Sequence, residues 1–118
     1  MRVLVVEDDK RIADGLVAHL AGHGHAVDTA GNLATGWAAL CAEPFDLLLL
    51  DLGLPHVDGL TVVEDLRARG ITIPILVLTA YDLPHLHATV RGTGANDLLQ
   101  KPYDPEQLLD RMHRMLAA

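Results

Sequence analysis

The sequence holds a single cysteine, Cys41, so no disulfide can close within the chain, and such sparse use fits a reducing compartment. No apolar run approaches the roughly 20 residues that a membrane-spanning helix needs. Positive charge is scarce: 9 Lys and Arg against 16 Asp and Glu leave a net charge of -7. A surface of that sign repels nucleic acid and anionic membranes, so direct binding to either is not expected. No secretory leader is expected either. Met1 and Arg2 run into only four apolar residues, 3–6, before an acidic triplet, which is too short for a leader's apolar stretch and reads as a strand; with the lone cysteine, a cytoplasmic location is expected. Nor does a glycine-rich phosphate loop follow that first run. Glu7, Asp8 and Asp9 stand there instead and would repel a bare nucleotide phosphate, which argues against a nucleotide-binding module.

What is present is a core. Half of the 118 residues are hydrophobic, enough for one globular domain over residues 1–118, with no effector domain expected in this chain. Short apolar runs at 3–6, 46–50 and 73–78, with weaker ones at 25–29 and 97–100, read as strands. Between them lie helical spacings. Ile12, Leu16 and Leu20 form one stripe with Ala13 and Val17 beside it; Val62, Val63 and Leu66 form another; Leu108, Leu109, Met112 and Leu116 a third. Asp104, Pro105 and Gln107 supply an N-cap, a first-turn proline and a capping-box partner. Asp82 with Pro84 marks another helix start, Asp58 reads as an N-cap of the third helix, and Gly22, Gly24 and Gly70 mark helix ends. Five β–α repeats with near-continuous apolar strands predict an α/β fold, an open doubly wound parallel sheet covered on both faces.

Ligands of such sheets bind beyond the carboxyl ends of the strands. Glu7, Asp8 and Asp9 follow the first run, Asp51 the third, Thr79 the fourth, and Lys101 with Pro102 the fifth. Clustered carboxylates repel one another unless a cation sits among them, and hard oxygen donors favour Mg²⁺ or Mn²⁺. With a lysine and a hydroxyl alongside, such a site can bind three phosphoryl oxygens, and a remaining carboxylate can accept the phosphoryl group.

Val-Glu-Asp-Asp at 6–9, Asp-Leu-Gly-Leu-Pro-His-Val-Asp-Gly-Leu at 51–60, Leu-Thr-Ala at 78–80, Gly-Ala-Asn-Asp at 94–97 and Lys-Pro-Tyr-Asp at 101–104 occur in order. Together they resemble the receiver domain of bacterial two-component response regulators, most of all the subfamily that precedes a winged-helix DNA-binding domain. The resemblance implies a flavodoxin-like strand order 2-1-3-4-5. It makes Asp51 the phosphoacceptor for a histidine kinase's phosphohistidine, so the domain is a signalling module, limited as an enzyme to self-phosphorylation from small donors and to losing the group again. Glu7 and Asp8 are the implied acidic metal pair, with Asp51 and the Gly53 carbonyl completing the Mg²⁺ ligands. Thr79 is implied to bond the phosphoryl group and move toward it, and Lys101 to pair with its charge. A cis peptide before Pro102 is expected as well. The implied output is a changed face that controls a DNA-binding effector.

Some positions depart from the family pattern. The switch position, usually Tyr or Phe, is Leu98, which leaves open a phosphate-insensitive or atypically coupled receiver acting as an interaction module. On the face built from the fourth helix, fifth strand and fifth helix, Asp97 and Arg111 match one of the charged pairs that link two copies. His87, Gln107, Asn96 and Gly92 replace the others, so only a weak homodimer is expected. Tyr81 is placed near the phosphorylation pocket. The histidine pairs His23/His25 and His85/His87 lack carboxylate or cysteine company and read as solvent-exposed rather than as ligands, while Trp37 and Cys41 read as one packed helix face. An aspartate-nucleophile phosphatase of the haloacid-dehalogenase type would need a second Asp two residues after the nucleophile, where this chain has Gly53.

Overall fold

The computed structural model describes residues 1–52, 57–80 and 85–117. Five strands and five helices alternate: β1 (Arg2–Val6), α1 (Lys10–Ala21), β2 (Ala26–Ala30), α2 (Leu33–Ala42), β3 (Leu47–Leu52), α3 (Val57–Ala68), β4 (Ile75–Thr79), α4 (Leu86–Gly92), β5 (Asp97–Gln100) and α5 (Pro105–Ala117). The strands form one parallel sheet in the order β2-β1-β3-β4-β5. Doubly wound topology and strand order both match the expectation. The peptide between Lys101 and Pro102 is cis, also as expected.

Side-chain alternation divides the core in two. Leu4, Val6, Leu48, Leu50, Ile75 and Val77 point to the face covered by α2, α3 and α4, where Val63, Leu66 and Val90 meet them. Val3, Val5, Leu47, Leu49, Leu76 and Leu78 point to the opposite face, against Leu16 and Leu20 of α1 and Leu108, Leu109 and Met112 of α5. Because both faces are covered, the strands are apolar at consecutive positions rather than at alternate ones. Each fully buried Leu or Val contributes about 1.5–3 kcal/mol relative to an exposed one.

Helix ends follow local chemistry. Asp9 caps α1, its Oδ1 accepting from the N–H of Arg11 at 2.9 Å and of Ile12 at 3.4 Å. α5 opens on Pro105, with the Gln107 Oε1 accepting from the Asp104 N–H at 2.9 Å, the return arm of a capping box. After α3, Gly70 takes a φ of 79° while its N–H reaches the Arg67 carbonyl and that of Ile71 the Leu66 carbonyl, a glycine-terminated helix end.

Several expectations shift. Ile12 is 40% exposed, and the buried stripe of α1 is Ala13, Leu16 and Leu20. Residues 12, 16 and 20 drift around a 3.6-residue helix, and Ile12 falls at the stripe's edge. Cys41 is exposed, whereas Trp37 packs against the buried cluster on the α2–α3–α4 face, with the Arg69 guanidinium 4.9 Å from its ring centre. β3 begins at Leu47, and the preceding Asp46 ties it to β1, its Oδ2 accepting from the Arg2 N–H at 2.7 Å. β4 begins at Ile75, after Pro74, whose carbonyl accepts from Leu48. Asp58 already lies inside α3, and a cap needs non-helical backbone, so it is not the N-cap. α4 starts at Leu86, later than the Asp82–Pro84 signal, whose residues lie outside the described ones.

Candidate functional site

Sheet register brings distant residues to one edge. Val6 pairs with Leu50 and with Ala30, Asp51 with Leu78, and Thr79 with both Leu52 and Gln100. The strands therefore end level, and Glu7, Asp51, Thr79 and Lys101 emerge together at their carboxyl ends. The Glu7 N–H donates to the Ala30 carbonyl at 3.0 Å, and the Lys101 N–H to the Thr79 carbonyl at 2.6 Å, so the backbone extends the ladder into the site.

Asp51 is nearly buried, its side chain 5% exposed, and its Oδ2 is paired with the Lys101 ammonium. Glu7 is 6% exposed and Thr79 fully buried. The Glu7 carboxylate accepts from the Asp9 N–H through Oε1 at 3.1 Å, while Oε2 is buried without a hydrogen-bond partner. Burial pushes the Glu7 carboxyl up to about 8, and Asp51, first as a hydrogen-bond partner for the protonated form and then as a like charge, adds to the rise; the Asp9 N–H and Lys101 pull the other way. Tyr103, which does not end a strand, is half-buried near the two carboxylates. Burial, then the charges of Asp51 and Glu7, raise its phenol to about 12. The signal was available in its place two residues beyond Lys101, but only the packing shows that the ring turns toward the α1–α5 face.

The donor set suits a hard cation. All candidate ligands are oxygens, one buried carboxylate oxygen has no partner, and a single lysine offsets two adjacent carboxylates. Asp8 is exposed, and among the described residues no three of His, Cys, Asp and Glu gather closely enough to hold a metal ion. The structure thus brings Glu7 beside Asp51, and Asp8, next in the chain, has an exposed side chain. Gly53 and Tyr81 lie outside the described residues. Asp9, read as a turn or cap residue, is the cap of α1.

On the far side of β5, the Arg111 Nη1 donates to the Asp97 Oδ2 and to the Leu98 carbonyl, each at 3.0 Å, and the His87 Nε2 lies 3.1 Å from the Asp97 Oδ1. Leu98 packs against the same apolar cluster as Leu86 of α4. The histidines pair differently from their sequence spacing. The His23 ring stands 4.8 Å from His19, whose carbonyl is 2.9 Å from the His23 Nδ1, and His25 faces His113 at 6.2 Å. His25 is partly covered rather than solvent-exposed. Burial lowers its pKa, helped by the N-terminal amine, His113 and His23. The four-residue spacing at the end of α1 and the packing of α5 beside β2 set these neighbours, not adjacency in sequence.

Comparison with known proteins adds independent findings. A family model described as the response regulator receiver domain matches residues 3–113. The transcriptional regulatory protein QseB of Haemophilus influenzae is 40% identical over 98% of this chain and 52% of its own length. The chain spans about half the length, or less, of the curated relatives it matches. The receiver domain of the Francisella response regulator 1452 superposes with a TM-score of 0.91 at 25% identity, covering 98% of this chain and 96% of that one. TrrA of Thermotoga maritima, solved in complex with Mg²⁺ and BeF, gives 0.84 at 27% identity, with 98% of each chain covered.

Proposed function

This chain belongs to the response regulator receiver domain family, and from that premise we propose that Asp51 accepts a phosphoryl group, with Lys101 and Thr79 as its partners. The observation that carries the proposal is one nearly buried carboxylate, paired to a lysine at a level strand edge beside a second carboxylate. An Asp51 oxygen attacks phosphorus, the bond from phosphorus to the donor's nitrogen or oxygen breaks, and the donor departs with its electron pair. Lys101, already bonded to Asp51, balances charge on the phosphoryl oxygens, and the Thr79 hydroxyl is the hydrogen-bonding partner for one of them. Burial keeps bulk water from the carboxylate and strengthens both interactions.

Glu7, Asp8, Asp51 and the Gly53 carbonyl are the proposed ligands of Mg²⁺ (or Mn²⁺). That ion, when bound, supplies positive charge to phosphoryl oxygens. The proposed donor is the phosphohistidine of a histidine kinase in the cytoplasm. QseB is named a transcriptional regulatory protein, and by extension this domain is proposed to control a DNA-binding effector through α4, β5 and α5 while binding no nucleic acid itself. Turnover of substrate is not part of the proposal: the group stays on the protein until it is lost to water.

Incubation with acetyl phosphate and Mg²⁺, followed by intact mass, tests the assignment. One added phosphoryl group is expected, and none in Asp51→Asn or in EDTA. Uptake by Asp51→Asn at the level of the unaltered chain would overturn it.

A further inference from the structure

α4 is seven residues long and buries one side chain completely, Val90. Its N-cap is His85, whose φ of 64° lies in the left-handed region that a side chain makes costly, and the His85 side chain makes no capping bond to the first turn. Such a helix belongs to the weakly held part of a fold. Among the described residues, a polar tie to the sheet runs through the Asp97 carboxylate. Both Asp97 oxygens are engaged: Oδ1 by the His87 Nε2 at 3.1 Å and by the Leu98 N–H at 2.8 Å, Oδ2 by the Arg111 Nη1 at 3.0 Å. Arg111 also holds the Leu98 carbonyl at 3.0 Å. One side chain of β5 therefore gathers α4 from one side and α5 from the other. The His87 contact is an ion pair when the ring carries its proton.

We infer that His87, Asp97 and Arg111 form an intramolecular latch that fastens α4 to β5 and closes the α4–β5–α5 face on itself. The latch lies in line with the reaction centre. β4 ends there at Thr79, α4 is the next element along the chain, and β5 pairs with β4 from Leu76↔Asp97 to Thr79↔Gln100. Its role in signalling rests on the proposed reading of Asp51; its existence does not. The latch also spends, inside one chain, the charges that a second copy would otherwise use, so pairing of two copies through this face has to open it first.

Hydrogen exchange followed by mass spectrometry on the whole chain tests the latch. His87→Ala and Asp97→Asn change partly exposed side chains, and each should speed exchange of the 86–92 segment about two- to fivefold, the size expected for an exposed ion pair. β1 and β3 should keep their rates. Arg114→Ala, which breaks the exposed pair with Asp110 at 3.0 Å in α5, should leave 86–92 unchanged. Wild-type rates over 86–92 in both latch variants, or equal acceleration of every segment, would overturn the inference. Phosphoryl uptake measured by intact mass on the same samples separates the two claims: its loss in the unaltered chain counts against Asp51 and leaves the exchange result standing.

Discussion

At the scale of single residues, the site is defined by an imbalance between two carboxylates and one ammonium. Asp51 has Lys101, whereas Glu7 has a buried oxygen with no partner and a neighbour of its own sign. Its carboxyl is therefore raised from 4.5 to about 8. For an acid raised by folding, the protonated form is favoured in the native state. The stability tied to that proton is complete below the unfolded value of 4.5 and is lost as pH rises through about 8. A bound divalent cation reverses the preference by stabilising the ionised form, so added Mg²⁺ competes with the proton. Thermal unfolding in Mg²⁺ and in EDTA should thus show a stabilisation that grows from pH 5 to pH 8.5, with a much flatter profile in Glu7→Gln. A Mg²⁺ effect of constant size across that range in the unaltered chain would contradict this account. That Glu7, Asp51, Thr79 and Lys101 belong together was legible from their positions after apolar runs. Which of Glu7 and Asp8 turns inward was not, because both follow the same strand and only the packing around β1 buries one and exposes the other.

At the scale of elements, close approach decides what each helix tolerates. Gly36 is buried in α2, and a Cβ there would meet the Val6 Cγ2 at 2.7 Å; around Gly15 in α1 nothing lies within 4 Å. Gly36→Ala should therefore destabilise, overpacking at about 1–3 kcal/mol outweighing the gain of up to about 1 kcal/mol in helix propensity. Gly15→Ala meets no such obstacle and should stabilise by about 0.5–1 kcal/mol. Urea unfolding of the two variants checks both signs; stabilisation by Gly36→Ala would show that α2 can lift from β1 at little cost. Caps were the most readable features, since Asp9 and the Asp104–Gln107 box act within a few residues of themselves. Helix phase was less so. Ile12, Leu16 and Leu20 satisfy a helical spacing as well as Ala13, Leu16 and Leu20 do, and only the position of the sheet selects the second set. The start of α4 shows the same limit, for a left-handed histidine at residue 85 leaves no mark in local sequence.

At the scale of the whole molecule, the positions that resemble an interface between copies are occupied from within. Asp97 holds His87 and Arg111, the Asn96 side chain accepts from the Arg67 Nη2 at 3.0 Å and from the Ile75 N–H at 2.9 Å, and Gln107 caps α5. Light scattering at micromolar concentration should accordingly report a monomer without a phosphoryl analogue and at most weak association with one. A tight dimer in both states would show that these internal bonds are easily exchanged. By itself the sequence determined the alternation of strands and helices, the parallel sheet and the row of polar residues that ends its strands, because apolar periodicity and caps act over a few residues and survive without knowledge of neighbours. Only the tertiary structure decided that Glu7 rather than Asp8 is buried beside Asp51, that Ile12 faces water, and that Asp97 spends its charge inside its own chain. Those outcomes depend on which surfaces meet across the sheet, and side-chain burial and ion pairing are settled between residues on different elements.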